Sequence, residues 1–357
     1  MRRSAFVGEA AGRVNLIGEH TDYSGGFVLP VAIPQRTRVE VRPRGDDTVR
    51  ATSGAMDEGR RQAYILGEDR AAGGWIDFVQ GVTRVLRDSG HRCGGCDISI
   101  ASSVPIGAGL SSSAALEMAL LRAFRDAFRL PLDDVTLVRL GRRAENEFVG
   151  APVGIMDQMA AALADERTAL FLDARTLQHE RIPLPESLAL VVIHSGVAHR
   201  HAAGDYRTRR AECEEAAARL GVRQLRDCGI EDLARIDGLP APLGARARHV
   251  VTENARVLEA VTALKNGDVE RVGTLFNASH ASMRDDFEVS VPDVDRLVEL
   301  AWDEPGVYGA RLTGGGFGGS IVAAVRAGSA AAVARRIASR YRDATRRAPA
   351  IVVPPAA

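Results

Sequence analysis

The chain has 357 residues, too many for one average domain and a comfortable number for two, each able to bury its own core. Its 46 basic and 46 acidic residues cancel, and no Lys/Arg block or basic stripe stands out. Electrostatic capture of nucleic acid or of an anionic membrane is thereby excluded, and small molecules are the expected partners.

From the N-terminus, Met1-Arg2-Arg3-Ser4 leads into mixed residues without an apolar segment, and no window reaches the length of a membrane span. Period-two or continuous apolar runs predict strands at 37–41 and 97–104. Ala, Leu, Arg and Glu at helical spacing predict helices at 113–128 and 135–148. A strand follows at 169–172, and then Ile182-Pro183-Leu184-Pro185-Glu186 interrupts the pattern. The domain junction is placed there, giving domains of 1–185 and 186–357. The second half continues with a strand at 188–193, helices at 205–220 and 250–265, a proline-rich loop at 239–244, a strand at 320–325 and a helix at 330–344. Of the four cysteines, Cys93 and Cys96 form a Cys-x-x-Cys, but Cys213 and Cys228 are too widely spaced to complete a zinc ribbon. Reduced thiols and a cytoplasmic protein are expected.

Two glycine-rich loops carry possible chemistry. Gly107-Ala108-Gly109-Leu110-Ser111-Ser112-Ser113 leaves a strand and opens a strong helix. Glycines there let backbone N–H groups encircle anionic oxygens, and the helix N-terminus adds partial positive charge. No Gly-Lys-Ser/Thr follows, so this is not a Walker loop, and an ordinary serine-capped turn is the bland alternative. Gly314 to Gly319 contains a literal G-x-G-x-x-G, yet it runs into an apolar strand rather than a helix, so a dinucleotide fingerprint is excluded and a hairpin bend is equally open.

Taken with the run Gly12-Arg13-Val14-Asn15-Leu16-Ile17-Gly18-Glu19-His20-Thr21-Asp22-Tyr23, these loops resemble the three motifs of the GHMP kinase superfamily, and the first run resembles the galactokinase signature. Trp75 to Val82, Arg143-Ala144-Glu145, Gly154-Ile155-Met156-Asp157-Gln158 and Tyr206 to Cys213 extend the likeness along most of the chain. The resemblance implies an α+β, two-domain GHMP kinase: an N-terminal domain like the second domain of ribosomal protein S5, a ferredoxin-like C-terminal domain, and an active site between them. It also implies transfer of the ATP γ-phosphoryl group to the anomeric hydroxyl of α-D-galactose.

A sugar hydroxyl is a poor nucleophile, so a carboxylate to accept its proton and a cation to offset the moving charge are required. Asp157 and Arg13 match the family's residues for these roles. Asp157 is expected in the first turn of a helix, ionised beside an arginine. By resemblance Glu19, His20, Thr21, Asp22, Gly154 and Tyr206 bind galactose, Gly107 to Ser113 bind ATP, and Ser113 and Glu145 hold Mg2+. A helix-capping role for Asp157, a solvated His-Thr-Asp turn and a solvated Glu145 are the ordinary alternatives for each residue taken singly. The chain departs from the family at Ala11, where proline is usual, at Ser320, where cysteine is common, and in a tail that ends Val352-Val353-Pro354-Pro355. N-acetylgalactosamine, arabinose or galacturonate are rival acceptors, and a non-catalytic galactose sensor is the rival class; a monomer is expected.

Overall fold

Among the residues described by the computed structural model, 4–56, 59–197 and 202–354, with Ala202 and Ala203 as backbone only, periodicity resolves into twelve strands and ten α-helices. Met1 to Arg3 and Pro355, both noted in the sequence, lie outside the described residues. The first half contains β1 (Phe6–Asn15), β2 (Phe27–Val28), β3 (Pro30–Pro43), β4 (Thr48–Ser53), β5 (Gln62–Ile65), α1 (Ile76–Asp88), β6 (Cys96–Ser102), α2 (Ser112–Phe128), α3 (Asp134–Arg143) and α4 (Met156–Leu163). The remainder is β7 (Thr168–Asp173), β8 (His179–Pro183), β9 (Leu188–His194), α5 (Ala202–Leu220), α6 (Leu233–Ile236), α7 (Leu243–Asn266), α8 (Val269–Asp285), α9 (Pro292–Trp302), β10 (Val307–Thr313), β11 (Ser320–Arg326), α10 (Ala330–Thr345) and β12 (Ala350–Val353). Every strand and helix expected from the sequence is present. The long segment 135–148 divides into α3 and a π-helical turn, Ala144–Val149.

The elements fall into two compact units. Unit 1 runs up to Arg13 and resumes over Ala32–Ile106 and Ser111–Leu163. Its five-stranded sheet is ordered β1-β3-β6-β4-β5, with β4 parallel to β6 and the β3–β6 and β4–β5 pairs antiparallel. The register places Val39 opposite Ile100, Val41 opposite Ile98 and Ala51 opposite Ile98. All of these side chains are buried, while Arg38 and Arg42 alternate outward. Helix α1 buries Ile76, Val79, Val82, Val85 and Leu86 at helical spacing, each such side chain contributing ~1.5–3 kcal/mol. Asp133 caps α3, accepting from the Thr136 N–H at 2.7 Å.

Unit 2 comprises Val14–Val31, Gly107–Leu110 and the chain from Ala164 onward. An antiparallel sheet ordered β10-β11-β9-β12 carries its core, and a three-stranded sheet β2-β7-β8 joins it. Central strand β11 is buried from Ser320 to Val325, which explains its uninterrupted apolar run. Val191, Ile193, Ile321, Ala323, Leu297, Val298, Ile337 and Tyr341 belong to one buried cluster. The proline-containing segment 182–186 runs from the end of β8 toward β9 inside unit 2, with Pro183 the last residue of β8, opposite Thr168. Gly314 to Gly319 form the turn of the β10–β11 hairpin, closed by Thr313 opposite Ser320.

Candidate active site

In unit 1 the last residues of β1 are all buried, and Arg13, 4% exposed, arrives on that strand. Its Nε and Nη2 donate to Asp157 at 2.8 and 2.7 Å, and both contacts fall on Oδ1. Asp157 lies in the first turn of α4, where the helix dipole favours a negative charge, and its side chain is 25% exposed. The approach to that turn is pinned by Asn146, whose amide donates to the Val153 carbonyl and accepts from the Val153 N–H.

Behind Asp157 sits a buried polar group. Glu145, in the π turn, is joined to Ser113 by a hydrogen bond and accepts from the Gln158 amide at 2.7 Å. The same amide donates to Glu117 at 3.0 Å. Burial pushes the Glu145 carboxyl up to about 7, with the Asp157 charge adding to the rise while the Ser113 and Gln158 hydrogen bonds oppose it. Burial and then the Glu145 charge push Glu117 well above the ordinary carboxylate range. No cation is among the main influences on Glu145. Glu117 Oε1 and Gln158 Oε1 are buried without hydrogen-bond partners. Among the described residues no set of three or more His, Cys, Asp or Glu side chains could hold a metal. One hydroxyl and one carboxylate short of compensating charge nevertheless fit a hard divalent cation whose other ligands are water and phosphate oxygens.

The loop leading into α2 is built for an anion. Gly107, Gly109 and Ser111 all have positive φ, at 71°, 74° and 59°. Ser111 makes no side-chain cap to α2, so the first N–H groups of that helix have no serine competing for them. The ordinary serine-capped turn is therefore not what forms.

In unit 2 the chain leaving β1 is fixed from several directions. Glu19, 1% exposed, accepts from Asn15 Nδ2 at 2.9 Å, Thr313 Oγ1 at 3.2 Å and the Gly314 N–H at 3.0 Å, and pairs with Arg311 at 2.5 Å. Arg311, fully buried on β10, also donates to the Leu16 carbonyl at 2.9 Å. Glu253 on α7 accepts from the Gly18 N–H at 2.9 Å and from Ser279 at 2.6 Å. Burial opposes ionisation of Glu253, but the Arg256 and Arg311 charges hold it down at about 2. Gly18 has φ +104°, and a Cβ there would come within 2.6 Å of the Phe27 carbonyl, so only glycine fits. His20 Nδ1 lies 3.0 Å from the Tyr23 hydroxyl and Nε2 lies 3.1 Å from the Gly315 carbonyl. Burial, reinforced by His249, lowers His20 to about 3, so the ring is neutral. Tyr206 packs 5.3 Å from the His20 ring and 5.5 Å from the Tyr23 ring.

Residues 1–43 match the galactokinase galactose-binding signature, residues 77–165 the N-terminal domain of the GHMP kinases and residues 260–343 their C-terminal domain. The galactokinase of Roseiflexus sp. (strain RS-1) is 46% identical over 351 residues, spanning 96% of this chain and 89% of that protein. That of Streptomyces coelicolor is 44% identical, spanning 97% and 91%. The chain belongs to the galactokinase family. Its ATP-dependent sugar-kinase class and its GHMP kinase fold, with N- and C-terminal domains of mixed helices and sheets, follow from that membership. The crystal structure of Lactococcus lactis galactokinase complexed with galactose superposes with a TM-score of 0.94 at 32% identity, covering 98% of this chain and 93% of that one.

Within this galactokinase-family chain the motif residues divide between the units. Arg13, Ser111, Ser112, Ser113, Glu145, Gly154 and Asp157 lie in unit 1; Glu19, His20, Thr21, Asp22, Gly107, Ala108, Gly109, Leu110 and Tyr206 lie in unit 2. Each motif holds one non-glycine residue at positive φ: His20, Ser111 and Phe317. Thr21 is fully buried with its hydroxyl against the carbonyls of Gly18 and Phe27, closing its own loop. Asp22 opens a 3-10 turn and accepts from the Tyr23 N–H. Ser320 donates to the Ala108 carbonyl at 2.8 Å, and a Cβ on Gly314 would lie 2.7 Å from the Gly109 carbonyl, so the two glycine loops meet backbone to backbone. The thiols of Cys93 and Cys96 are unpaired and pushed up by burial to about 11 and about 12, which leaves both protonated.

Sequence reasoning missed a cavity of about 170 Å3 in unit 1, lined by Trp75, Phe78, Ile100, Ile106, Ser112 and Ser113 among others. Trp75 and Phe78, three residues apart where α1 begins, were the available signal. Arg311, Glu253, Glu117 and Gln158 were missed as well; each is a buried polar residue inside a helical or apolar run.

Proposed function

We propose that this enzyme transfers the γ-phosphoryl group of ATP to the C1 hydroxyl of α-D-galactose, giving galactose 1-phosphate and ADP, with Asp157 and Arg13 as its catalytic residues. The observation that carries the reading is the Arg13–Asp157 pair, in which both arginine contacts fall on Oδ1 of a carboxylate that keeps access to solvent. Asp157 Oδ2 accepts the proton of the C1 hydroxyl as its oxygen attacks the γ-phosphorus and the bond to the β-phosphate oxygen breaks. Arg13 offsets the charge on the moving phosphoryl and keeps Asp157 in one rotamer. By the family match Glu19, His20, Thr21, Asp22, Gly154 and Tyr206 serve galactose recognition, Glu19 and Thr21 by holding the sugar loop in shape rather than by offering a free polar atom.

The Gly107 to Ser113 loop binds the triphosphate, and the Trp75 and Phe78 cavity takes the apolar faces of the base. Ser113 and Glu145 would hold Mg2+, which when bound neutralises phosphate charge. The proposed domain division is 1–185 and 186–357. We also place the protein in the cytoplasm on the strength of four unpaired cysteines, and propose a monomer; among the described residues no helix is long and apolar enough to cross a membrane.

ADP release measured in parallel with galactose, N-acetylgalactosamine, arabinose, galacturonate and glucose tests the reading. Galactose is expected to be turned over best. Preference for another sugar would reassign the acceptor, and no turnover with any would favour a galactose sensor.

A further inference from the structure

We propose that Tyr23 is a positioning residue that fixes His20 in its Nε2–H tautomer through a one-way hydrogen-bond relay from Cys213 to Gly315. The proposal rests on the reading of His20 as part of the galactose pocket.

Proton counting sets the direction. The Gly315 carbonyl only accepts, so the His20 Nε2 that lies 3.1 Å from it must carry the proton. A neutral ring then leaves Nδ1 bare, and its neighbour at 3.0 Å, the Tyr23 hydroxyl, must donate to it. The Tyr23 oxygen can in turn accept, and the Cys213 thiol on α5, kept protonated by burial, is the donor that the relay assigns to it. Three donors are thereby used in sequence, S–H to Tyr23, O–H to His20 and N–H to Gly315, and none is duplicated.

Packing admits no easy alternative. The His20 ring is held 4.8 Å from Phe287 and 5.3 Å from Tyr206, and Tyr23 stands edge-on to Tyr206 at 5.5 Å. The backbone of His20 is at φ +62°, a conformation that the surrounding contacts must maintain. At the far end, Thr313 and Gly314 already bond to Glu19, so the His20 bond makes Gly315 the third successive residue of the glycine loop tied to the sugar motif. With the opposite tautomer, two lone pairs would face each other at Gly315 and the tie would be lost. Tyr23 acts on the site through His20, which makes its role one of positioning.

Tyr23→Phe keeps the ring and deletes only the donor. It is expected to raise the KM for galactose about tenfold, the effect of one buried nitrogen left unpaired, with the KM for ATP changed less than about twofold. Cys213→Ala should act in the same direction, about twofold, and add nothing in the Tyr23→Phe background, because both variants cut one relay. Nitrogen-15 spectra of histidine-labelled protein should show His20 as the Nε2–H tautomer, with the Nδ1 signal displaced in Tyr23→Phe.

An Nδ1–H tautomer in the unaltered protein overturns the relay. So does an unchanged galactose KM in Tyr23→Phe, an equal rise in both KM values, or strictly additive Tyr23 and Cys213 effects. A His20→Ala arm separates the underlying reading: an unchanged galactose KM there removes His20 from the sugar pocket, whereas the spectra judge the relay independently.

Discussion

Two carboxylates paired with arginines, one in each unit, are held in opposite ways. In unit 1, Asp157 meets Arg13 through a single oxygen and keeps a quarter of its side chain exposed. In unit 2, Glu19 is 1% exposed, and both of its oxygens receive hydrogen bonds from protein groups while Arg311 is fully buried beside it. A carboxylate that must exchange a proton needs an uncommitted lone pair. One that must keep a recognition loop in shape is better saturated, because each remaining lone pair in a dry interior would carry a desolvation cost. The contrast is the one that the proposed roles require, a carboxylate with room to take a proton against one committed to holding its loop.

The sharpest way to break that contrast is Asp157→Asn. Turnover should fall by ~10^3-fold or more while galactose binding stays measurable by calorimetry, since the amide keeps size but cannot accept the proton. Near-normal turnover would remove Asp157 from the role of base. Arg311→Met should act on stability instead: Glu19 and Glu253 lose their shared cation, and urea unfolding should show a loss of about 3–5 kcal/mol. A change below about 1 kcal/mol would mean that the buried pair does not hold the loop.

A pH series probes the same saturated region. His20 and His249 are lowered by burial to about 3 and about 4, whereas both recover ordinary values near 6.5 on unfolding. The unfolded chain therefore binds more protons, so the stability that these rings contribute is present above about pH 6.5 and declines as pH falls toward about 4. The loss is up to about 2 kcal/mol each by pH 5. Thermal melts between pH 7 and pH 5 should show it, and a flat Tm would place both rings in wetter surroundings. The mildest expected effect is Trp75→Ala, which should raise the KM for ATP about tenfold and leave galactose binding alone. A matching rise for galactose would contradict a nucleotide role for the cavity.

Much of the candidate site was legible because its signals are local. The placement of Asp157 in a first helical turn followed from glycines and a proline running into an Ala-rich stretch, and α4 begins at Met156. The Gly314 to Gly319 turn was separated from a dinucleotide motif by the apolar strand after it, now β11. Elements without strong periodicity were not anticipated: β1 alternates poorly because its second half is buried on both faces, and α8 and α9 carry mixed polar residues.

By itself the sequence determined the element types, the two glycine loops and the chemical identities of Arg13, Asp157 and Glu145, since helical period, backbone freedom and motif spacing act over a few residues. Only the tertiary structure decided which partners those residues have. Glu19 is saturated by Thr313 and Gly314, 294 and 295 positions away, and Arg13 is matched to Asp157 across 144. Such pairings depend on where whole strands and helices come to rest as the core is buried, and no local pattern of residues records that.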